Sequence, residues 1–328
     1  MLYKFLFDNE PLELDLSKQI NNSSSKFNAL MRAILIKIYR KSYKFFQRLF
    51  LRPSLRRKFS SIEKIIFKKN YIVDDSIIFD NVSKIKSKSF VKIDNVFSNN
   101  DITKIKSQFT SSKIFLDPIY GDYQKFKITD KNIKAHTGYI PTEHIFKNEL
   151  IIKGALNEKL LNTLKLYFNS SFKLDWIWCW WSIPNEKSLG PQLFHRDYES
   201  MNFLKFFVYL TDVNENNGPH QIISGSHEQD NFYKRERFND FDINKKYKNE
   251  INTINGSSGT NFLANTFSIH RGLLPKQKRR LVLVYLFSVI PSNRCPKIPF
   301  MNVKDIQDEN LKNKLIKNRN IFDQIYSF

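Results

Sequence analysis

The sequence predicts a mainly β protein: an antiparallel barrel or jelly roll, with flanking helices and a basic helical extension at its N-terminus. Three observations lead there. Between residues 114 and 290, short aromatic and β-branched runs are broken by Gly, Pro and Asn, the pattern of antiparallel strands joined by turns. Residues 26–52 contain no Gly or Pro and repeat apolar side chains at helical spacing. The 328 residues are 41% hydrophobic and 15% aromatic, enough for a packed core, which excludes a wholly disordered chain despite a net charge of +21.

Each element has a local reason. Asn21-Asn22-Ser23-Ser24-Ser25 reads as a linker. The helix that follows carries Phe27, Leu30, Met31, Ile34, Leu35, Ile38, Phe45, Phe46 and Leu49 on its apolar side, and Pro53 is expected to stop it. Ser89–Val96 predicts a strand and turn, then a helix capped by Ser98 or Asn99 and running to about Gln108. Asp175–Ile183, Phe203–Leu210, Gly259–Ala264 and Arg280–Val289 are the clearest strand candidates, and Val303–Ile325 returns to a helical pattern. Expected boundaries are 1–75 for the basic extension, 85–292 for the barrel domain and 293–328 for a partly helical tail.

Charge is concentrated. Residues 26–69 hold 14 Lys+Arg and one acid, Glu63, so they carry most of the excess. An amphipathic basic helix suits a surface helix docked on the main domain, or a contact with an anionic membrane through residues 26–69. Charge alone does not distinguish lipid from nucleic acid. Two cysteines are too few for a disulfide framework or a Cys-rich zinc site, so a reducing, cytoplasmic setting is expected, with membrane association through the basic segment. No apolar run approaches the roughly 18 residues that span a bilayer, and the first residues lack a signal peptide's order.

Of six histidines, one has a carboxylate two residues on, in Phe194-His195-Arg196-Asp197. Residues i and i+2 of a strand share a face, so His195 and Asp197 can offer a nitrogen and an oxygen to one metal ion. His270 follows an apolar strand. Two His and one carboxylate leave positions open, as Fe(II) needs to bind a cosubstrate and O2, whereas a closed structural zinc site wants four protein ligands. Arg279 and Arg280 open the next strand, and a guanidinium there could grip a dicarboxylate such as 2-oxoglutarate with two parallel hydrogen bonds.

Phe194–Asp197, the unbroken run Lys205–His227 with its Asn217-Gly218-Pro219 and Ser224-Gly225-Ser226-His227, then His270-Arg271-Gly272 and Arg279, resemble the phytanoyl-CoA dioxygenase family over roughly residues 89–290. The resemblance implies a double-stranded β-helix (a cupin-like jelly roll) using Fe(II), 2-oxoglutarate and O2. It implies His195, Asp197 and His270 as catalytic iron ligands and Arg279 as the 2-oxoglutarate anchor, with Arg280 as the alternate. Only one of two adjacent strand residues can face the barrel interior; Arg279 is preferred because it shares a side with Leu281 and Leu283. Related halogenases replace the carboxylate ligand with a small residue, so Asp197 favours hydroxylation of a small-molecule or lipid-like substrate, with 2-oxoglutarate decarboxylated to succinate.

The other conspicuous residues have plainer readings. Trp176, Trp178, Trp180 and Trp181 mark a core strand, one of them able to wall the cosubstrate pocket. His220 and His227 read as turn residues, while His136 and His144 could line an entrance. Gln192 and Lys205 stand where pocket residues could lie, and Cys179 reads as core. The long polar stretch Glu228–Ser258 predicts a lid. The competing class is a non-catalytic barrel protein acting through its basic segment at anionic membrane or nucleic acid, which leaves the His195, Asp197, His270 and arginine set unexplained. A nucleic-acid substrate is disfavoured because enzymes of this kind that act on one usually carry a further arginine six residues past the anchor, where this chain has Tyr285.

Overall fold

The computed structural model describes residue 42 and residues 49–116, 125–130, 133, 135–291 and 301–328. The helix expected over 26–52 therefore lies almost wholly outside the described residues. Helices α1 (Pro53–Ile66) and α2 (Ser76–Lys88) precede strand β1 (Phe90–Lys92) and helix α3 (Asn99–Ser111). Strands β2 (Lys113–Leu116), β3 (Lys125–Lys127) and β4 (Thr137–Tyr139) lead to helices α4 (Thr142–Phe146), α5 (Glu149–Ala155) and α6 (Glu158–Phe168). Then come β5 (Lys173–Ser182), β6 (Phe203–Tyr209), β7 (His220–Ile223), α7 (Asp240–Tyr247), β8 (Ile251–Ile254), β9 (Asn261–Ala264), β10 (His270–Gly272) and β11 (Arg280–Ser288). The chain closes with β12 (Met301–Asn302), α8 (Glu309–Lys317), α9 (Arg319–Phe322) and β13 (Tyr326–Ser327).

Ser98 caps α3 through a reciprocal pair with Asp101, as the sequence suggests. Pro53 also opens α1, directly after a break at residues 50–52. Proline suits a first helical turn, whose N–H has no partner in any case.

The strands form a mainly antiparallel jelly roll. A large sheet runs β1-β9-β6-β11-β5-β4-β2-β3, and a small one runs β10-β7-β8. Alternation along the central strands separates two cores. Phe207, Tyr209, Val282 and Val284 face Ile222 and Ile254 of the small sheet and fill the barrel interior. Phe206, Val208, Leu281, Leu283 and Tyr285 point the other way and pack beneath α3, α5 and α6. A third cluster, with Phe194, Ile223, Phe238, Ile243 and Ile269, covers the back of the small sheet under α7. The central strands are apolar on both faces because both are covered.

Part of the basic segment is docked on the barrel. Arg56 of α1 is buried, with its guanidinium 4.5 Å from the Phe267 ring centroid and donating to the Ser200 carbonyl. Arg57 pairs with Glu228 at 3.1 Å, and Ser54 N–H donates to Asp230 at 2.8 Å. The opposite face of α1 leaves Leu55, Ile62, Ile65 and Ile66 exposed. Among the described residues no helix is long and apolar enough to cross a membrane.

Glu63, on the docked side, accepts from Asn202 Nδ2 at 2.7 Å; burial pushes its carboxyl up to about 7, against that hydrogen bond and the nearby Arg56 charge. The folded protein therefore holds this proton more tightly than the unfolded chain. The resulting stability is complete below the ordinary glutamate range and is lost as pH rises toward 7. Glu63→Gln is expected to remove that slope and to leave the variant more stable than wild type at pH 8, on the order of 1–3 kcal/mol. Urea unfolding at pH 5 and pH 8 measures it, and parallel behaviour of the two proteins would count against the assignment.

Candidate active site

Three side chains converge at the mouth of the barrel. The strand-like segment Phe194–Asp197 pairs with the start of β10: His195 N–H donates to the His270 carbonyl and His270 N–H to the His195 carbonyl, both at 2.9 Å. His195 Nε2 lies 3.6 Å from one oxygen of Asp197, and His270 Nε2 lies 3.3 Å from the other. Ligand atoms of His195, Asp197 and His270 all fall within 4.8 Å of one another, a group able to hold a metal ion.

The protonation states suit that task. His195 Nδ1 is 2.8 Å from the Leu193 carbonyl, and His270 Nδ1 is 2.9 Å from the Ser268 carbonyl. A carbonyl only accepts, so each Nδ1 carries a proton and each ring turns its Nε2 toward the centre. Burial, with the neighbouring His270, pushes the His195 imidazole well below its usual range, so it is neutral. Burial alone would raise Asp197, but the Lys205 ammonium and His270 hold its carboxyl well below the usual range. Two imidazole nitrogens and one carboxylate are the donor chemistry that suits Fe(II).

A cavity of about 260 Å³ opens from these residues. Its walls include His136, Tyr139, Trp178, Trp180, Gln192, Glu199, Lys205, Arg237 and Arg280. Lys205, on β6, reaches Asp197 at 2.7 Å and Glu199 at 3.2 Å. His136 Nδ1 meets Gln192 Oε1 at 2.9 Å.

The structure places Arg280, and not Arg279, at the cavity wall. Arg280 is buried on the inner face with Val282 and Val284, donating to Ser182 Oγ at 2.9 Å and to the Gly218 carbonyl. Arg279 points outward and donates to the Asp130 carbonyl at 3.0 Å. Leu281 and Leu283, which share a side with Arg279, belong to the outer core, so apolar character does not mark the inside of this strand. Gly218 is also fixed by geometry. It sits at φ +75°, and a Cβ there would come within 2.3 Å of the Leu273 carbonyl.

Other expectations separate. His220 is not a turn residue: it begins β7 and lines the cavity, its ring centroid 5.3 Å from that of His270 and its buried Nε2 without a partner among the described residues. His227 is buried beside Ser89 and Ser268, at 3.0 and 3.1 Å. His136 lines the cavity, whereas His144 is on α4 at the surface. Trp178 and Trp180 wall the cavity, while Trp176 packs edge-on to Phe146 in the outer core. Glu228–Ser258 is built into the barrel through α7 and β8, and it contributes Arg237 to the cavity.

Motif reading did not single out Arg196. Arg196 points away from the metal group and is buried, which lowers its guanidinium to about 10. It donates to the carbonyls of Ser226, Asn231, Phe232 and Phe267 at 2.7–2.9 Å, tying the His195–Asp197 segment to the polar stretch and to the approach to His270. Its signal was its position between two candidate ligands, where strand alternation sends it to the opposite face. Arg196→Ala leaves several buried carbonyls unpaired. It is expected to destabilise the fold by about 3 kcal/mol or more, read as a fall in the urea midpoint, and an unchanged midpoint would refute the clamp.

Comparison with known proteins now adds a name to this geometry. Residues 90–271, more than half of the chain, match the family model described as phytanoyl-CoA dioxygenase (PhyH). The chain belongs to the phytanoyl-CoA dioxygenase family. This dioxygenase uses Fe(II), with 2-oxoglutarate and O2 as cosubstrates, and its donor set fits the metal. No curated protein matches it. Among solved structures it is similar to HygX from Streptomyces hygroscopicus with nickel, 2-oxoglutarate and hygromycin B bound, at 14% identity and TM-score 0.44, over 64% of this chain and 86% of that one. It is also similar to EctD from S. alaskensis with bound Fe, at 14% identity and TM-score 0.49, over 67% and 79%. SnoN, an α-ketoglutarate-dependent epimerase from nogalamycin biosynthesis, gives 11% identity and TM-score 0.46 over 66% and 83%.

Proposed function

We propose that this dioxygenase hydroxylates a small-molecule or lipid-like substrate, with His195, Asp197 and His270 holding Fe(II) and Arg280 anchoring 2-oxoglutarate. The observation that carries the reading is the convergence of two imidazole Nε2 atoms and a carboxylate at a cavity whose inner wall bears a buried arginine. The balanced reaction takes substrate C–H, 2-oxoglutarate and O2 to substrate C–OH, succinate and CO2. Bound iron supplies the oxygen activation. The chain's own part is to bind and orient. Arg280 offers a guanidinium to the far carboxylate, Ser182 steadies that guanidinium, and Trp178 and Trp180 exclude water. Lys205 neutralises part of the Asp197 charge, and Leu193 and Ser268 keep both imidazoles in the ligating tautomer. That Asp197 is a carboxylate rather than a small residue supports hydroxylation over halogenation.

The test is anaerobic addition of Fe(II) and 2-oxoglutarate, which is expected to give the weak visible charge-transfer band of the chelate. No band in wild type would sink the assignment. A second reading concerns docking: the exposed Leu55, Ile62, Ile65 and Ile66 of α1, within the basic residues 26–69, favour contact with an anionic membrane. Flotation on vesicles containing phosphatidylserine is expected for the full chain and not for a chain lacking residues 1–70; equal flotation would remove this reading.

A further inference from the structure

One cationic side chain lining the cavity has no hydrogen-bond or ion-pair partner among the described residues. Of its lining cations, Lys205 is paired with Asp197 and Glu199, and Arg280 with Gly218 and Ser182. Arg237 lines the same cavity, is exposed, and has no hydrogen bond or ion pair among the described residues. Its neighbour Arg235 lies elsewhere, over the Tyr198 ring at 5.9 Å. Nor is Arg237 on a loose loop. Phe238 N–H donates to the Phe194 carbonyl at 2.8 Å in an antiparallel bridge, so residue 237 stands one step from the segment that carries His195. The guanidinium is within Coulombic reach of both His195 and Asp197.

We propose that Arg237 is a specificity residue that binds an anionic group of the substrate, a carboxylate or a phosphate, at the cavity mouth, with the substrate's apolar body against Trp178 and Trp180. The inference rests on the iron and 2-oxoglutarate reading of the cavity. A guanidinium presents a planar fork that pairs with either anion through two parallel hydrogen bonds. A neutral substrate of the same shape would desolvate that fork and leave it unpaired, which is how a polar site rejects an analogue lacking the matching group. A cavity of about 260 Å³ also points to a small molecule.

The experiment titrates the anaerobic Fe(II)–2-oxoglutarate complex with hexanoate, hexyl phosphate and hexanol, following perturbation of the visible band. At least one anion is expected to bind about tenfold or more tighter than hexanol, and the better anion identifies carboxylate or phosphate. Arg237→Gln is expected to erase the preference and Arg237→Lys to keep part of it. Equal binding of hexanol, no response to either anion, or a preference that survives in Arg237→Gln would each overturn the proposal while leaving the band intact. Absence of the band in wild type would instead sink the underlying site together with this inference.

Discussion

Replacing Asp197 with alanine is expected to abolish the Fe(II)–2-oxoglutarate band and to lower 2-oxoglutarate decarboxylation by more than about 100-fold, beyond what losing a group that merely supports a metal ligand costs. The carboxylate is the only anionic member of the donor group His195, Asp197 and His270. Its removal also takes one ion-pair partner from the buried Lys205, which keeps its contact with Glu199. A fall in stability must therefore be separated from a loss of metal binding. The far-ultraviolet circular dichroism of Asp197→Ala, compared with wild type, serves that purpose. A folded variant that keeps the band would refute the ligand role of Asp197.

The arginine pair gives the second large effect. Arg280→Leu is expected to raise the 2-oxoglutarate KM on the order of 100-fold, since it deletes a charge-assisted, two-pronged contact in a buried setting. Arg279→Ala removes only an outward bond to the Asp130 carbonyl and is expected to leave KM within about twofold. Band titration, which needs no knowledge of the primary substrate, is expected to show the same ranking in 2-oxoglutarate affinity. Equal effects of the two substitutions, or a larger effect at Arg279, would overturn the assignment of Arg280.

These two predictions also mark how far the sequence could be read. The His195-x-Asp197 pair was legible because strand alternation alone puts both side chains on one face. The jelly-roll class was legible because turn residues punctuate its strands. Arg280 was not, because Phe206, Val208, Leu281 and Leu283 lie under helices and make β6 and β11 apolar on both sides. His220 was hidden for a different reason: Gly218-Pro219 announces a turn, and nothing local says that the strand begins at the next residue. Arg196 and Arg237 owe their placement to pairings distant in sequence, which no motif encodes. Lys205 was identifiable as a candidate by its strand, but its bond to Asp197 required the register.

The reciprocal backbone bonds between His195 and His270 carry a consequence for how the protein persists in a cell. Those bonds join segments far apart in the chain, so an unfolded chain presents scattered donors rather than a site. A metal that binds only the closed arrangement pulls the folding equilibrium by mass action. At free metal 100-fold above its dissociation constant, the folded state gains about 2.7 kcal/mol. Protein abundance, and not only turnover, is thus expected to follow iron supply: a starved cell would hold less of the enzyme as well as less active enzyme.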